Sequence, residues 1–373
     1  HASYRRQRQM CIRDSNWNNA YPIISEAPFG LKGWQVAFMA VGIPGMLLAL
    51  LTWQIKEPPR GLSEGLISSE SKNPLKETFK ELVGLTPFGL VGSDNFKKEL
   101  SINIIFTVLI FLASYYLYVL TGDFLQWTAF GIGVYVICNW IHGLKNRDPV
   151  AFLLIFKSKA LLLGLLSFPF ITFVTYALGA FGPSFYIRNF SMTATEVGII
   201  YGLITVFGSM IGVICGGILG DKLRETYVNG KLYLIMASAV LTGVTAIGFI
   251  HSENLVASFT WKFVYHIAST AWLGCAASTV TELVLPRLRA VASAFFILML
   301  SMIGLALGPY LTGMVSDIYI NSGLLPGPAL KNAMTLTLVV LVLPFGLLAV
   351  ACKYLKNDEA EIYEKARSLG EEI

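Results

Sequence analysis

Residues 202–224 read GLITVFGSMIGVICGGILGDKLR, an apolar run that closes with an acid and two bases. Within it a glycine returns at every fourth position, at Gly208, Gly212, Gly216 and Gly220. Glycine inside a helix costs about 1 kcal/mol relative to alanine, so a helix in water is not expected to repeat it in register. In a bilayer, helices associate through close backbone contact, which small residues permit. The stretch therefore predicts a membrane-spanning helix that packs tightly and ends at a charged membrane face.

The composition of the whole chain also indicates a membrane protein. Of its 373 residues, 55% are hydrophobic and only 14% are charged, and the mean hydropathy is +0.63. Soluble domains carry about 25% charged residues. The five cysteines are scattered without the spacing of a disulfide framework or a zinc site. Residues 1–20 lack the apolar core of a secretory signal peptide. We expect neither a metal nor a cofactor.

Nine apolar segments are long enough to span a bilayer, which takes about 20 residues of helix. They cover residues 35–55, 101–120, 124–142, 160–182, 196–219, 232–251, 255–285, 290–316 and 331–353. The second and third are separated by three residues and predict a tight hairpin. Gly182-Pro183 is expected to end the fourth segment, and Ser191 or Thr193 to cap the fifth.

Lysine and arginine residues predict the orientation, because they accumulate in cytoplasmic loops. With the C-terminus in the cytoplasm, twenty of them fall in cytoplasmic segments, whereas Arg188 and Lys331 lie on the other side. The bases before the first segment break this pattern, and most of them lie within residues 1–15. These residues begin with His1 and match nothing that follows, so we interpret them as a foreign junction. The natural chain is then expected to extend further upstream.

Two polar regions flank the spanning segments. Residues 75–85 (LKETFKELVGL) are amphipathic and predict a helix on the cytoplasmic membrane surface. Its bases suit anionic lipid, so nucleic acid is not an expected partner. The tail, residues 354–373, is polar and predicts a solvated helix.

Four stretches carry a family resemblance. GGILGDKLRE fits the cytoplasmic loop signature Gly-x-x-x-Asp-[Arg/Lys] of the major facilitator superfamily through Gly217, Asp221 and Lys222, with Arg224 following. Residues 33–61 (GWQVAFMAVGIPGMLLALLTWQIKEPPRG) resemble the sixth helix of its Spinster-like branch. ELVLPRLRAVASA and GLALGPYLTGMVSD, at residues 282–294 and 304–317, resemble the junction of helices ten and eleven and helix eleven.

The resemblance implies an all-α polytopic fold of about nine transmembrane helices. In this family two six-helix halves enclose a central cavity, and the chain would hold the sixth helix and the C-terminal half. The implied organisation is a foreign segment (1–15), the sixth helix with its periplasmic lead-in (16–55), a cytoplasmic linker (56–159) with an inserted two-helix hairpin (101–142), the six-helix half (160–353) and a cytoplasmic tail (354–373). The N-terminal half of the same protein is then an expected partner.

The substrate or ion path is predicted from polar groups inside spans, where they are costly and mostly face a cavity. Lys262 and His266 share one helix face at i and i+4. Lys262 either faces the cavity or snorkels outward. His266 either carries a proton, since histidine titrates near neutral pH, or is a hydrogen-bonded core residue. Tyr176 and Thr172 either line the cavity or bond to their own helix.

The cytoplasmic gate is predicted at two charged clusters. The first is the loop signature itself, whose charges either latch a gate state or only set topology. The second either completes the latch or forms local salt bridges, and it consists of Glu282, Arg287 and Arg289. The glycine ridge serves helix packing that is either static or allows rocking, and it is expected to face the absent half. Gly304, Gly308 and Pro309 are predicted to pack and bend helix eleven.

We therefore expect a secondary active transporter, a symporter or antiporter, in the bacterial inner (plasma) membrane with a cytoplasmic C-terminus. The resemblance implies a small organic or amphiphilic substrate, anionic or lysolipid-like, moved by alternating access with a proton or another coupling ion. The other partner is the lipid bilayer. The rivals are a non-transporting receptor or subunit and a membrane-embedded lipid enzyme. The sequence has no G-x-S-x-G elbow, HExxH motif or Walker loop, so no enzyme is predicted.

Overall fold

The computed structural model describes residues 28–55 and 96–368, together with residues 75, 83 and 86. Within these residues the regular structure is helical throughout. Residues 1–27, residues 56–95 apart from 75, 83 and 86, and residues 369–373 lie outside the described residues. They include the predicted foreign segment 1–15, the lead-in as far as residue 27 and most of the amphipathic stretch 75–85.

The helices follow the apolar segments of the sequence. Their bounds are α1 Gly33–Trp53, α2 Phe96–Thr121, α3 Phe124–Arg147, α4 Pro149–Lys157, α5 Lys159–Phe190, α6 Ala194–Thr226, α7 Gly230–His251, α8 Leu255–Thr270, α9 Trp272–Glu282, α10 Arg289–Met299, α11 Ala306–Asn321, α12 Pro326–Thr337, α13 Val342–Ala351 and α14 Leu355–Ser368. A π-helical turn, Leu300–Leu305, joins α10 to α11, and a 3-10 turn, Leu338–Leu341, joins α12 to α13. In the described residues, seven helical stretches are long and apolar enough to cross a membrane. The all-α membrane fold is confirmed.

Two of the nine predicted spans are not among the seven. The apolar part of α1, Phe38–Trp53, is shorter than a span. The segment predicted at 255–285 is divided into α8 and α9 at Ala271, although that residue keeps helical dihedral angles (φ −59°, ψ −28°). The two pieces therefore continue one another, and both together cover the predicted length.

One predicted helix end is wrong. Gly182-Pro183 does not stop α5, which continues to Phe190 and ends at Ser191 in the left-handed region (φ 54°). Proline inside a helix costs about 3 kcal/mol. The extra turns bury Phe185 and Tyr186, which are 1% and 0% exposed, and burying one large apolar side chain contributes about 1.5–3 kcal/mol. Packing therefore overrides the local signal.

The tail is a docked helix, so the prediction of a solvated one is wrong. Leu355 and Ile362 of α14 are buried in the core cluster that also contains residues of α4 and α5. The carboxylate of Asp358 is also buried and accepts hydrogen bonds from the Ser158 hydroxyl (2.9 Å) and the Ala160 backbone N–H (2.8 Å). It thereby satisfies groups at the start of α5 that have no partner within that helix.

The hairpin α2–α3 packs against α11 through the face of α3. Tyr310 donates a hydrogen bond to the Asp123 carboxylate (2.7 Å), and its ring meets Trp127 edge to face at 5.4 Å. Trp140 stacks on Phe295 of α10 at 5.4 Å. The hairpin thus contacts the rest of the bundle through α10 and α11, which the π-helical turn connects.

Candidate functional site

The glycine ridge of α6 lies against α8 and α9 of the same chain. A Cβ on Gly208 would come within 2.8 Å of the His266 Cβ. On Gly212 and Gly216 it would collide with the backbone carbonyls of Ile267 and Ala271, and on Gly220 with the Cys275 sulfur. All four glycines are buried. The expectation that the ridge faces a helix outside this chain is therefore wrong, because all four glycines already contact α8, α9 or the break between them.

Gly304 in the π-helical turn and Gly308 at the start of α11 make a second close contact, with α5. A Cβ on Gly304 would collide with the Thr172 hydroxyl, and one on Gly308 with the Phe173 carbonyl oxygen. Thr172 is buried here and donates to the Pro169 carbonyl of its own helix (2.9 Å). In this conformation Thr172 therefore packs between α5 and Gly304 and does not line a cavity. Pro309 lies within α11, one turn after the π-helical segment, and such segments often occur at functional sites.

Lys262 lies in the centre of the bundle and does not snorkel. Its side chain is fully buried (0% exposed). The ammonium nitrogen Nζ lies 4.2 Å from the ring centre of Phe249, 4.3 Å from Tyr265 and 5.0 Å from Tyr201. Ring faces attract a cation. In the described part of the chain, no atom accepts a hydrogen bond from Nζ.

His266 is hydrogen-bonded, one helical turn from Lys262. Its Nε2 lies 3.0 Å from the Thr205 hydroxyl of α6, and its ring meets Tyr201 edge to face. The imidazole therefore joins α8 to α6 directly above the glycine ridge. Tyr176 lies apart from this cluster and is 43% exposed on α5. The structure thus brings Lys262 and His266 together and leaves Tyr176 and Thr172 elsewhere.

The two predicted gate clusters meet through a third residue, Lys231. Its ammonium pairs with the Glu282 carboxylate and lies 3.9 Å from that of Asp221. Lys231 is at the start of α7, directly after Gly230. A Cβ on Gly230 would collide with the backbone of Leu223, so this glycine lets α7 begin close to the end of α6. The turn between the helices positions Lys231 between the two acids.

Arg224 pairs with the tail. Its guanidinium donates to both carboxylate oxygens of Glu359 in α14, at 2.6 and 2.7 Å. The side chains of Lys222 and Asp221 are exposed, and open space surrounds the Cβ position of Gly217. The loop signature is therefore divided: Arg224 binds the tail, Asp221 lies beside Lys231, and Lys222 is exposed.

Arg287 pairs with Asp148 at 2.7 Å, and Arg289 donates to the Thr281 carbonyl (3.1 Å). Asp148 also caps α4 by accepting from the Ala151 N–H (2.8 Å). Partial burial alone would raise the pKa of Asp148, but the Arg287 hydrogen bond and charge, together with backbone N–H donors, hold it below its usual value. This ion pair links the α9–α10 junction to the end of the hairpin.

Sequence reasoning missed Lys231, Glu359, Asp148 and Tyr201 as members of these clusters. Lys231 and Asp148 had a local signal, since each follows a helix end and lies next to a helix start. Glu359 and Tyr201 had none, because their partners are distant in sequence. Among the described residues, no cluster of three His, Cys, Asp or Glu side chains that could hold a metal ion occurs.

An apolar groove of about 290 Å³ lies within the hairpin, away from Lys262. It is lined by α2 and α3, with Tyr115, Tyr118 and Phe124 near the turn. Gly131 lies opposite Ser114 at its floor.

No family model matches the chain. An "MFS-type efflux pump" of Mycolicibacterium smegmatis is 30% identical over 201 residues, which cover 53% of this chain and 45% of that protein. "Protein spinster" of Drosophila melanogaster is 26% identical over 173 residues, covering 43% of this chain and 28% of that protein. The chain spans less than half the length of these relatives. The first of them is described as an efflux pump, which is a transporter rather than an enzyme.

Among solved structures, a bacterial homologue of the human lysosomal transporter Spinster, in an inward-facing and occupied conformation, matches with a TM-score of 0.44. It is 22% identical, and the match covers 65% of this chain and 58% of that one.

Proposed function

We propose that the chain belongs to the Spinster-like branch of the major facilitator superfamily and that it is part of a secondary active transporter for a small organic molecule or amphiphile. Substrate moves by alternating access, with the C-terminal helices rocking against a second six-helix half. The division into sixth helix, linker with hairpin, six-helix half and tail is part of this proposal.

The observation that carries the proposal is the buried pair Lys262 and His266 on one face of a spanning segment. Ionisable groups at such depth are costly and are kept where ions or substrates pass. Both face α6, whose glycines bring the helices into backbone contact. A ridge of this kind allows sliding as well as static packing, so α6 can shift against α8 within this half while the two halves rock.

The cytoplasmic charges are proposed to hold one gate state. Lys231 bridges Asp221 and Glu282, and Arg224 is held by Glu359. Releasing them would let α6 and α9 move at their cytoplasmic ends. The C-terminus is proposed to lie in the cytoplasm of a bacterial cell, and the membrane to be the inner one, on the distribution of lysine and arginine.

A relative described as an efflux pump favours export as the direction, and the resemblance to the Spinster-like branch favours an anionic or lysolipid-like substrate. Proton coupling is proposed. The test is counterflow in proteoliposomes, using the protein from the complete open reading frame and radiolabelled short-chain lysophosphatidylglycerol. We expect time-dependent exchange above protein-free vesicles. Vesicles that bind the probe without exchanging it would favour a receptor, and vesicles that hydrolyse it would favour a lipid enzyme.

A further inference from the structure

We infer that Lys262, rather than His266, is the group that carries the coupling proton. This rests on the proposed transport function and assigns its ion site. Three observations support it: the absence of a described partner for Nζ, the lack of free space around it, and the identity of the side chain that covers it.

The first observation concerns charge. An ammonium group in a low-dielectric interior is stable only with a counter-charge or hydrogen-bond acceptors. Lys262 Nζ has neither within the described residues. The faces of Phe249, Tyr265 and Tyr201 stabilise the charged form by about 0.5–2 kcal/mol each at most, which is less than the cost of burying an isolated charge. The balance between –NH3⁺ and –NH2 is therefore set by this cage and changes when the cage opens.

The second observation concerns space. Lys262 is 0% exposed, and aromatic rings from α6, α7 and α8 surround its Nζ. A metal ion, halide or organic anion cannot enter without moving a ring. A proton needs no additional volume. A proton is the one ligand that this site can gain or lose with the same packing around Nζ before and after the exchange.

The third observation concerns the cover. Tyr201 belongs to α6, whereas Lys262 belongs to α8, and the two helices touch along the glycine ridge. The Tyr201 ring also contacts Tyr186 of α5 and the His266 imidazole. A shift of α6 along the ridge withdraws one ring from Nζ and admits water to it. The motion proposed for transport thus controls access to the amine.

The titratable groups facing Lys262 are Tyr201 from α6, Tyr265 and His266 from its own helix, and Tyr186 one ring further out. The described residues place no carboxylate among them. His266 is held by Thr205, and its ring contacts Tyr201 edge to face. In each cycle, an N–H bond of the Lys262 ammonium breaks, its proton passes to water on the side of lower proton concentration, and the resulting –NH2 takes a proton from water on the other side. One proton crosses, and nothing is oxidised or reduced.

The test separates proton coupling from substrate exchange. Protein from the complete open reading frame is reconstituted, and short-chain lysophosphatidylglycerol is measured both in counterflow and in accumulation driven by a pH gradient. We expect Lys262→Met to retain counterflow within about twofold and to lose accumulation down to the level without a gradient. Exchange needs no net proton movement, whereas accumulation does. Lys159→Met is the matched control, because Lys159 also lies over a ring (Tyr354, 4.8 Å) but is exposed, and it keeps both activities.

Each other outcome is decisive. Accumulation by Lys262→Met at the wild-type level overturns the assignment. A folded, monodisperse Lys262→Met protein without counterflow also overturns it, since the lysine then serves substrate binding or packing. If His266→Asn loses accumulation but keeps counterflow, the coupling proton is assigned to the His266 imidazole and not to Lys262. Wild-type protein that moves the probe in neither assay overturns the proposed function, and this inference with it.

Discussion

Gly216 and Gly217 are neighbours on α6 with opposite surroundings. Any Cβ on Gly216 would collide with the Ala271 backbone, whereas open space surrounds that position on Gly217. The site of contact is the break between α8 and α9, where the Ala271 carbonyl approaches α6. The ridge is therefore a set of individually required positions rather than a general preference for small residues.

Substituting these two glycines gives a matched pair. We expect Gly216→Ala to lower the free energy of unfolding by about 1–3 kcal/mol, the usual cost of overpacking a filled contact. Gly217→Ala should be neutral or stabilising by up to about 1 kcal/mol, because alanine is the better helix former. The measurement is the thermal midpoint in detergent by size-exclusion chromatography. Equal midpoints for the two variants would show that α6 does not contact Ala271.

Asp148 predicts a pH dependence. Its pKa is held below the usual value in the folded protein, so its ion pair with Arg287 adds stability above the unfolded-state pKa. That stability is lost as the pH falls through the folded-state pKa. We expect Asp148→Asn to lower the free energy of unfolding at neutral pH by less than about 1 kcal/mol, because the ion pair is partly exposed. The thermal midpoint of the variant should fall slightly at neutral pH and match that of wild type in acid.

The control for this effect keeps the helix cap. Asparagine still accepts from the Ala151 N–H, so a loss that persists at acid pH would belong to the cap rather than to the charge. Arg287→Gln should behave like Asp148→Asn. A difference from wild type that grows as the pH falls would contradict the sign of the pKa shift.

At the scale of elements, α14 connects helices that the chain separates. Asp358 binds the start of α5, and Glu359 binds Arg224 at the end of α6. Two adjacent residues of α14 thus connect this polar helix to two membrane-spanning helices, α5 and α6. The tail sequence has a low mean hydropathy and predicts solvation. Its buried positions, Leu355 and Ile362, are seven residues apart and occupy only one narrow face.

The ion pair Arg224–Glu359 is measurable by a double-mutant cycle. We expect Arg224→Gln and Glu359→Gln to be non-additive by about 0.5–1 kcal/mol in detergent stability, as suits a bidentate but partly exposed pair. Glu364→Gln, on the exposed side of the same helix, should be additive with Arg224→Gln. Additivity of the first pair would mean that the tail does not hold α6.

At the scale of the molecule, the sequence predicts spans better than their partners. Apolar length alone locates the first residues of α2, α3 and α5–α7 to within about five residues, because a spanning helix needs about 20 apolar residues. It misplaces the end of α5, because the burial of Phe185 and Tyr186 stabilises the extra turns of that helix. It also cannot assign the partner of Gly216. The residues that complete each cluster, Glu359 for Arg224 and Tyr201 for Lys262, are selected by tertiary packing, which no local pattern records.

The hairpin provides the last prediction, because two spans preserve the orientation of everything that follows. Deleting residues 96–147 from the full protein should leave the C-terminus in the cytoplasm, whereas deleting only α2 should reverse it. A C-terminal green fluorescent protein, which fluoresces only when it folds in the cytoplasm, distinguishes the two. We expect fluorescence near the wild-type level for the first variant and near background for the second. A dark first variant that still inserts would contradict the hairpin topology. A bright second variant would show that the downstream bases, and not the number of preceding spans, determine orientation.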